Sequence, residues 1–163
     1  MTIGVLSMKR IMFVCHGNIC RSPMAEFILK RMVKKSGAEK NFVIESSATS
    51  TEEIWDGIGN PVYPPAKEEL AKHGISCEGK HAVQLVRSDY DKYDLIICMD
   101  SKNIQNALHI LGGDPCGKVK KLLSYTGSTG DVSDPWYSGD FRKAYDDIFQ
   151  GCSSLMKELI EKL

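Results

Sequence analysis

Nothing in the 163 residues approaches the roughly 20-residue apolar run of a membrane-spanning helix; even Leu95-Ile96-Ile97-Cys98-Met99 is closed by Asp94 and Asp100. A surplus of either charge is also missing, because 21 Lys+Arg meet 21 Asp+Glu. Nucleic acid or an anionic membrane therefore has no bulk electrostatic attraction to this chain, and any anion must be held by a local site. Absent too are a C-x-x-C pair and a His partner at finger spacing, so the six cysteines (15, 20, 77, 98, 116 and 152) do not form a structural zinc site. The opening Met1 to Met8 has no charged front, long apolar centre or cleavage signal. A cytoplasmic protein is expected, with residues 1–7 as a ragged extension of one domain spanning 1–163. In that reducing compartment, isolated cysteines such as Cys98 and Cys152 are expected as small buried hydrophobes.

What is present alternates between two periodicities. Lys9 to Val14 reads as a short buried strand, and Ser22-Pro23 reads as a helix start, with Ser22 as N-cap and Pro23 in the first turn. Met24, Phe27, Ile28 and Met32 then recur at helical spacing until Gly37. Phe42 to Ile44 predicts a second strand, Pro64-Pro65 opens a helix closing at Gly74, and Leu95 to Met99 predicts a third strand. Ser101 is the expected N-cap of a helix ending at Gly112-Gly113; Val119 to Leu123 is a weaker fourth strand, and Gly127 to Asp140 is a surface loop. From Asp140, Phe141, Ala144, Tyr145, Ile148, Phe149, Cys152, Leu155, Met156, Leu159, Ile160 and Leu163 form one face of a long closing helix. The pattern predicts an α/β fold in three layers: a four-stranded parallel sheet with helices on both faces and ligands at the carboxyl ends of its strands.

The chemistry concentrates in Cys15-His16-Gly17-Asn18-Ile19-Cys20-Arg21-Ser22, between the first strand and the first helix. A loop entering a helix N-terminus directs backbone amides at an anion, and Gly17 and Asn18 are the residue types that take positive φ most readily. Cys15 in that field is expected to ionise below the ordinary value near 8.5 and to act as a nucleophile. Arg21 offers a planar fork for two phosphoryl oxygens, and Ser22 a hydrogen bond to the thiolate. The loop is not a Walker loop, because the Gly-Lys-Ser/Thr ending is missing.

Phe13 to Glu26, reading FVCHGNICRSPMAE, resembles the signature loop of low-molecular-weight protein tyrosine phosphatases. The resemblance runs along nearly the whole chain, through Ser46 to Ser50, Asp94 to Asp100 and Asp134-Pro135-Trp136-Tyr137. It implies a phosphatase that uses no metal and no cofactor, acts on phosphotyrosine proteins or peptides through a phosphocysteine, and takes inorganic phosphate or other oxyanions in its loop. It implies Cys15 as nucleophile, Arg21 as phosphoryl clamp and Asp134 as general acid, with Asn18, Ser22 and Ser46 shaping the loop beside His16, Gly17, Ile19 and Cys20. A phenol leaving group has a pKa near 10 and gains from protonation, so the chemistry itself requires an acid such as Asp134.

By the same resemblance, Trp55-Asp56 stand where the family has its aromatic-led variable loop, and Trp136 and Tyr137 beside the acid. Trp55 as a core residue is the alternative. Ile19 replaces the Thr typical of related protein-arginine phosphatases, which points to phosphotyrosine. The variable loop is longer than the family's, and His81-Ala82-Val83-Gln84 departs from a His-x-Ala-Arg-Gln stretch, which weakens a network role for His81. His73 reads as a helix C-terminal cation, and His16 as an exposed loop residue. Cys20 is a candidate partner for a reversible disulfide with Cys15, against the reading of a packed small residue. The alternatives are an arginine phosphatase, an arsenate reductase, for which no close downstream cysteine pair exists, and a non-turnover phosphocarrier. A monomer is expected, a weak dimer being the alternative.

Overall fold

The computed structural model describes residues 8–162, so the extension at 1–7 and Leu163 lie outside the described residues. Strand β1 (Lys9–Cys15) is buried continuously from Ile11 to Cys15, as a strand covered on both faces must be. After it come helix α1 (Arg21–Lys35), strand β2 (Phe42–Ala48) and a small hairpin of β3 (Ile54–Trp55) and β4 (Ile58–Gly59). Helices α2 (Pro64–Lys72) and α3 (Asp89–Lys92) lead to β5 (Leu95–Cys98), α4 (Ser101–Leu111) and β6 (Val119–Lys121). A 3-10 turn (Leu122–Thr126), the one-turn helix α5 (Pro135–Ser138) and the long α6 (Phe141–Glu161) complete the chain.

The four main strands pair in parallel in the order β2-β1-β5-β6. Alternation along the central strands sends Ile11, Phe13 and Ile97 to one face, under α1 and α6, and Met12, Val14, Ile96 and Cys98 to the other, under α4 and the rings of Tyr90 and Tyr93. Each such side chain contributes about 1.5–3 kcal/mol by leaving water. Register sets Cys15 opposite Ala48 and Val14 opposite Cys98, so the chain leaves β1, β2 and β5 at one edge of the sheet. Among the described residues no helix is long and apolar enough to cross a membrane.

The elements differ from the sequence expectations in several places. Ser22 is not the cap of α1; the N-cap is Cys20, with no side-chain cap bond, because the Ser22 hydroxyl is turned back into the loop. Asp100, not Ser101, caps α4: its carboxylate accepts from Asn103 N, and Asp100 N donates in turn to Asn103 Oδ1. Strand β2 extends to Ala48 because its ladder with β1 runs the whole length. The β3–β4 hairpin and α3 were not expected, nor was α5 inside the Gly127 to Asp140 loop. Phe149 and Ile160 lie off the packed face of α6 and are exposed, whereas Gly151 lies on it beside Leu122.

Candidate active site

Residues 15–22 wrap around a single sulfur. Cys15 Sγ accepts from Asn18 N at 3.3 Å and Ser22 N at 3.4 Å and lies 3.0 Å from Ser22 Oγ. The loop can close this tightly because Asn18 takes φ 58°. Gly17 does not have positive φ, contrary to expectation. A Cβ there would come within 3.3 Å of Glu53 Cγ, so any larger residue would press on that side chain. Asn18 is buried; its Nδ2 donates to Ser22 Oγ at 2.8 Å and Ser46 Oγ at 2.9 Å, and its Oδ1 accepts from Val83 N at 3.0 Å. Ser46 Oγ in turn donates to Glu26 Oε1 at 2.6 Å.

Arg21 is 3% exposed, and its fork is fixed on three sides. Nη1 donates to Asp100 Oδ2 at 2.7 Å and to the Val132 carbonyl at 2.8 Å, and Nη2 faces Asp134 Oδ2 at 3.5 Å. Burial lowers the Arg21 pKa, but Cys15, Asp100 and Asp134 outweigh it, so the guanidinium ends above its ordinary value. Asp134 caps α5 by accepting from Trp136 N at 3.0 Å, which aims its other oxygen at the cleft. Val132 N donates to the Met99 carbonyl at 2.9 Å and ties this segment to the end of β5.

One cleft is lined by Cys15, His16, Gly17, Ile19, Cys20, Arg21, Asp134, Trp136 and Tyr137, together with Glu52 and Glu53. The fold therefore gathers residues from both ends of the sequence around the sulfur. Trp136 leans on Tyr63 with ring centroids 4.8 Å apart, and Tyr137 is open to solvent. Trp55 and Asp56, expected as walls, are not in the cleft. Asp56 (φ 50°) and Gly57 (φ 76°) make the two-residue turn of the β3–β4 hairpin and carry Trp55 outward. At 71% exposure Trp55 is not a core residue either.

Their place is taken by two carboxylates that the sequence reading missed. Glu52 pairs with His16 Nε2 at 3.0 Å, and Glu53 is held by Asn60 Nδ2 at 2.7 Å. Asp100 was missed as the partner of Arg21; the available signal was an acidic residue at the carboxyl end of an apolar strand. Cys20 is buried, and burial followed by the charges of Cys15 and Asp134 pushes its thiol far up. His81 turns its Nδ1 to the Gly59 carbonyl at 3.0 Å, and His73 stacks on Tyr145 with centroids 3.7 Å apart and bonds Glu69 at 3.0 Å. Cys98 and Cys152 are fully buried.

The model of one family, "Low molecular weight phosphotyrosine protein phosphatase", matches residues 10–163. The chain is 37% identical over 154 residues to the low molecular weight protein-tyrosine-phosphatase YfkJ of Bacillus subtilis, covering 93% of this chain and 96% of that protein. The crystal structure of YfkJ superposes with a TM-score of 0.89, covering 96% of this chain and 97% of that one. A rat low molecular weight phosphotyrosine protein phosphatase is 34% identical over 157 residues, covering 94% and 95%. The YwlE arginine phosphatase, solved with a phosphorylated active-site serine, superposes with a TM-score of 0.80 at 28% identity, covering 92% and 95%.

Proposed function

The chain belongs to the low molecular weight phosphotyrosine protein phosphatase family, and from that premise we propose that it hydrolyses the aryl phosphate of phosphotyrosine proteins or peptides through a phosphocysteine. The observation that carries this reading is the convergence of Cys15 Sγ, the Arg21 fork and the Asp134 carboxylate on one cleft. Amides at 3.3 and 3.4 Å stabilise negative charge on the sulfur, which attacks phosphorus while Arg21 holds the equatorial oxygens. Asp134, across the cleft, donates its proton to the departing phenolate. The same carboxylate then takes a proton from the water that splits the sulfur–phosphorus bond, which releases phosphate and restores Cys15. Charge on the transferring group is carried by Arg21 and the loop amides.

Ile19, Trp136 and Tyr137 give the cleft a flat apolar side that suits an aryl ring. Glu52 and Glu53 support a second reading, because paired carboxylates also complement the guanidinium of phosphoarginine. The two are separated by following phosphate release from phosphotyrosine, phosphoserine and phosphoarginine peptides with a chelator present, using wild type and Cys15→Ser. Turnover confined to phosphotyrosine and lost in Cys15→Ser is the expected result. Preferential turnover of phosphoarginine would replace the substrate, and a single phosphoryl group trapped on Cys15 without turnover would replace the enzyme with a carrier.

A further inference from the structure

Behind the loop, away from the cleft, a buried carboxylate is gripped by two lysines. Glu26, 4% exposed, takes Lys30 Nζ on Oε2 at 2.5 Å. Lys80 approaches the other carboxylate oxygen with its side chain only 11% exposed, its Nζ 3.5 Å from Glu26 Oε1. The same ammonium donates to the Ser46 carbonyl at 2.8 Å. A lysine this enclosed has lost most of its hydration, and burial lowers its pKa despite the opposing attraction of Glu26. Lys30 adds repulsion and Glu45 of β2 attraction, while His81, Asp89 and Lys92 line the same hollow.

Hydrogen-bond direction links this pair to the sulfur. Val83 N–H donates to Asn18 Oδ1, so the amide nitrogen must be the end that faces Ser22 and Ser46. Both hydroxyl oxygens therefore accept from Asn18, and each must pass its own hydrogen onward. Ser46 passes its hydrogen to Glu26, and Ser22 has Cys15 Sγ as its acceptor. The chain runs cleanly only while its far end is an acceptor-only carboxylate fixed in place. Lys30, 43% exposed, is a loose clamp; Lys80 is the enclosed one.

We propose that Lys80 is a positioning residue for the reaction, anchoring Glu26 and Ser46 so that Asn18 and Ser22 are held against Cys15. His81 does not share this role, because its ring is committed to the Gly59 carbonyl. The inference rests on the reading of Cys15 as nucleophile.

The test compares Lys80→Met, Lys80→Gln, Lys80→Arg and His81→Ala by steady-state kinetics on an aryl phosphate and by the pH dependence of Cys15 alkylation with iodoacetamide. Lys80→Gln removes the charge but keeps a polar side chain with donor hydrogens, one atom shorter, so it also serves if Lys80→Met does not fold. Both are expected to lower kcat roughly tenfold with KM little changed, the cost of a slightly misplaced reacting group. Their alkylation midpoint is expected to move to higher pH, since the thiolate loses a fixed donor. Lys80→Arg restores both readouts, and His81→Ala matches wild type. A Lys80→Gln protein with wild-type kcat and alkylation profile overturns the proposal, as does a Lys80→Arg protein as impaired as Lys80→Gln. Turnover surviving in Cys15→Ser would overturn the nucleophile assignment instead, and the alkylation profile would still report on Lys80.

Discussion

Arg21 and Asp100 are 79 residues apart in sequence and 2.7 Å apart in space, and Asp100 does two jobs at once. Its Oδ2 orients the guanidinium while its Oδ1 accepts from Asn103 N at 2.7 Å and caps α4. The roles separate by substitution. Asparagine is an equally good cap, but with its oxygen on Asn103 it turns an NH2 group toward Arg21, donor against donor. Asp100→Asn is expected to keep the cap of α4 but to lower the melting temperature, because buried Arg21 loses its close carboxylate, and kcat/KM should fall by roughly tenfold or more, about 1.4 kcal/mol of transition-state stabilisation. Asp100→Ala loses activity and also about 1 kcal/mol of capping. Full activity in Asp100→Asn would remove Asp100 from the clamp.

Asp134 as general acid makes a prediction that simple impairment does not. The need for a proton grows with the pKa of the leaving phenol, so the loss in Asp134→Ala should be small for nitrophenyl phosphate and roughly 10²–10⁴-fold for tyrosine phosphate. A plot of log kcat/KM against leaving-group pKa should steepen in the variant. Parallel lines for the two proteins would exclude the acid role.

Asp114 lies far from the cleft and accepts from Tyr90 Oη at 2.7 Å, Lys118 N at 2.7 Å and Val119 N at 3.1 Å. Burial raises its pKa, but these donors and Lys120 bring it below the ordinary carboxylate value. A group depressed in the folded state stabilises fully above its unfolded pKa near 3.9, and that stability is lost as pH falls through the folded value. Asp114→Asn should cost about 1 kcal/mol at neutral pH. In denaturant titrations the gap to wild type should close in acid; a gap constant with pH would refute the linkage.

Gly59 ends β4 where the chain pairs with the segment that covers the edge of β2, and a Cβ there would lie 1.9 Å from the Ala82 carbonyl oxygen. Backbone cannot step aside cheaply, so Gly59→Ala should cost about 1–3 kcal/mol. Because the hairpin carries Glu53 and Asn60, KM should change along with the melting temperature. An unaltered KM would show the hairpin to be independent of the cleft.

Local signals made the loop legible: a buried strand, a residue able to take positive φ, and a helix start, all within a few positions of Cys15. Asp100 and Lys80 carried no comparable signal, because their importance depends on which strand lies beside β1 and which segment covers the edge of β2. Parallel pairing joins residues far apart in sequence, and no periodicity reports it. Trp55 was legible and overlooked: Asp56-Gly57 between Trp55 and Ile58 is a strong hairpin signal. That turn places the indole on the outside. Ser22 shows the opposite conflict, since its residue type suited a cap and the Cys15 sulfur claimed its hydroxyl.

Glu52 and Glu53 bear on how a catalytic cycle ends. Inorganic phosphate is an anion, and in a cleft walled by these carboxylates and by Asp134 it sits against like charge as soon as it is formed. The wall that slows an anion's entry also hastens its escape, so the enzyme should resist inhibition by its own product. Replacing both glutamates by glutamine should tighten competitive inhibition by phosphate, and the difference should shrink as salt screens the field.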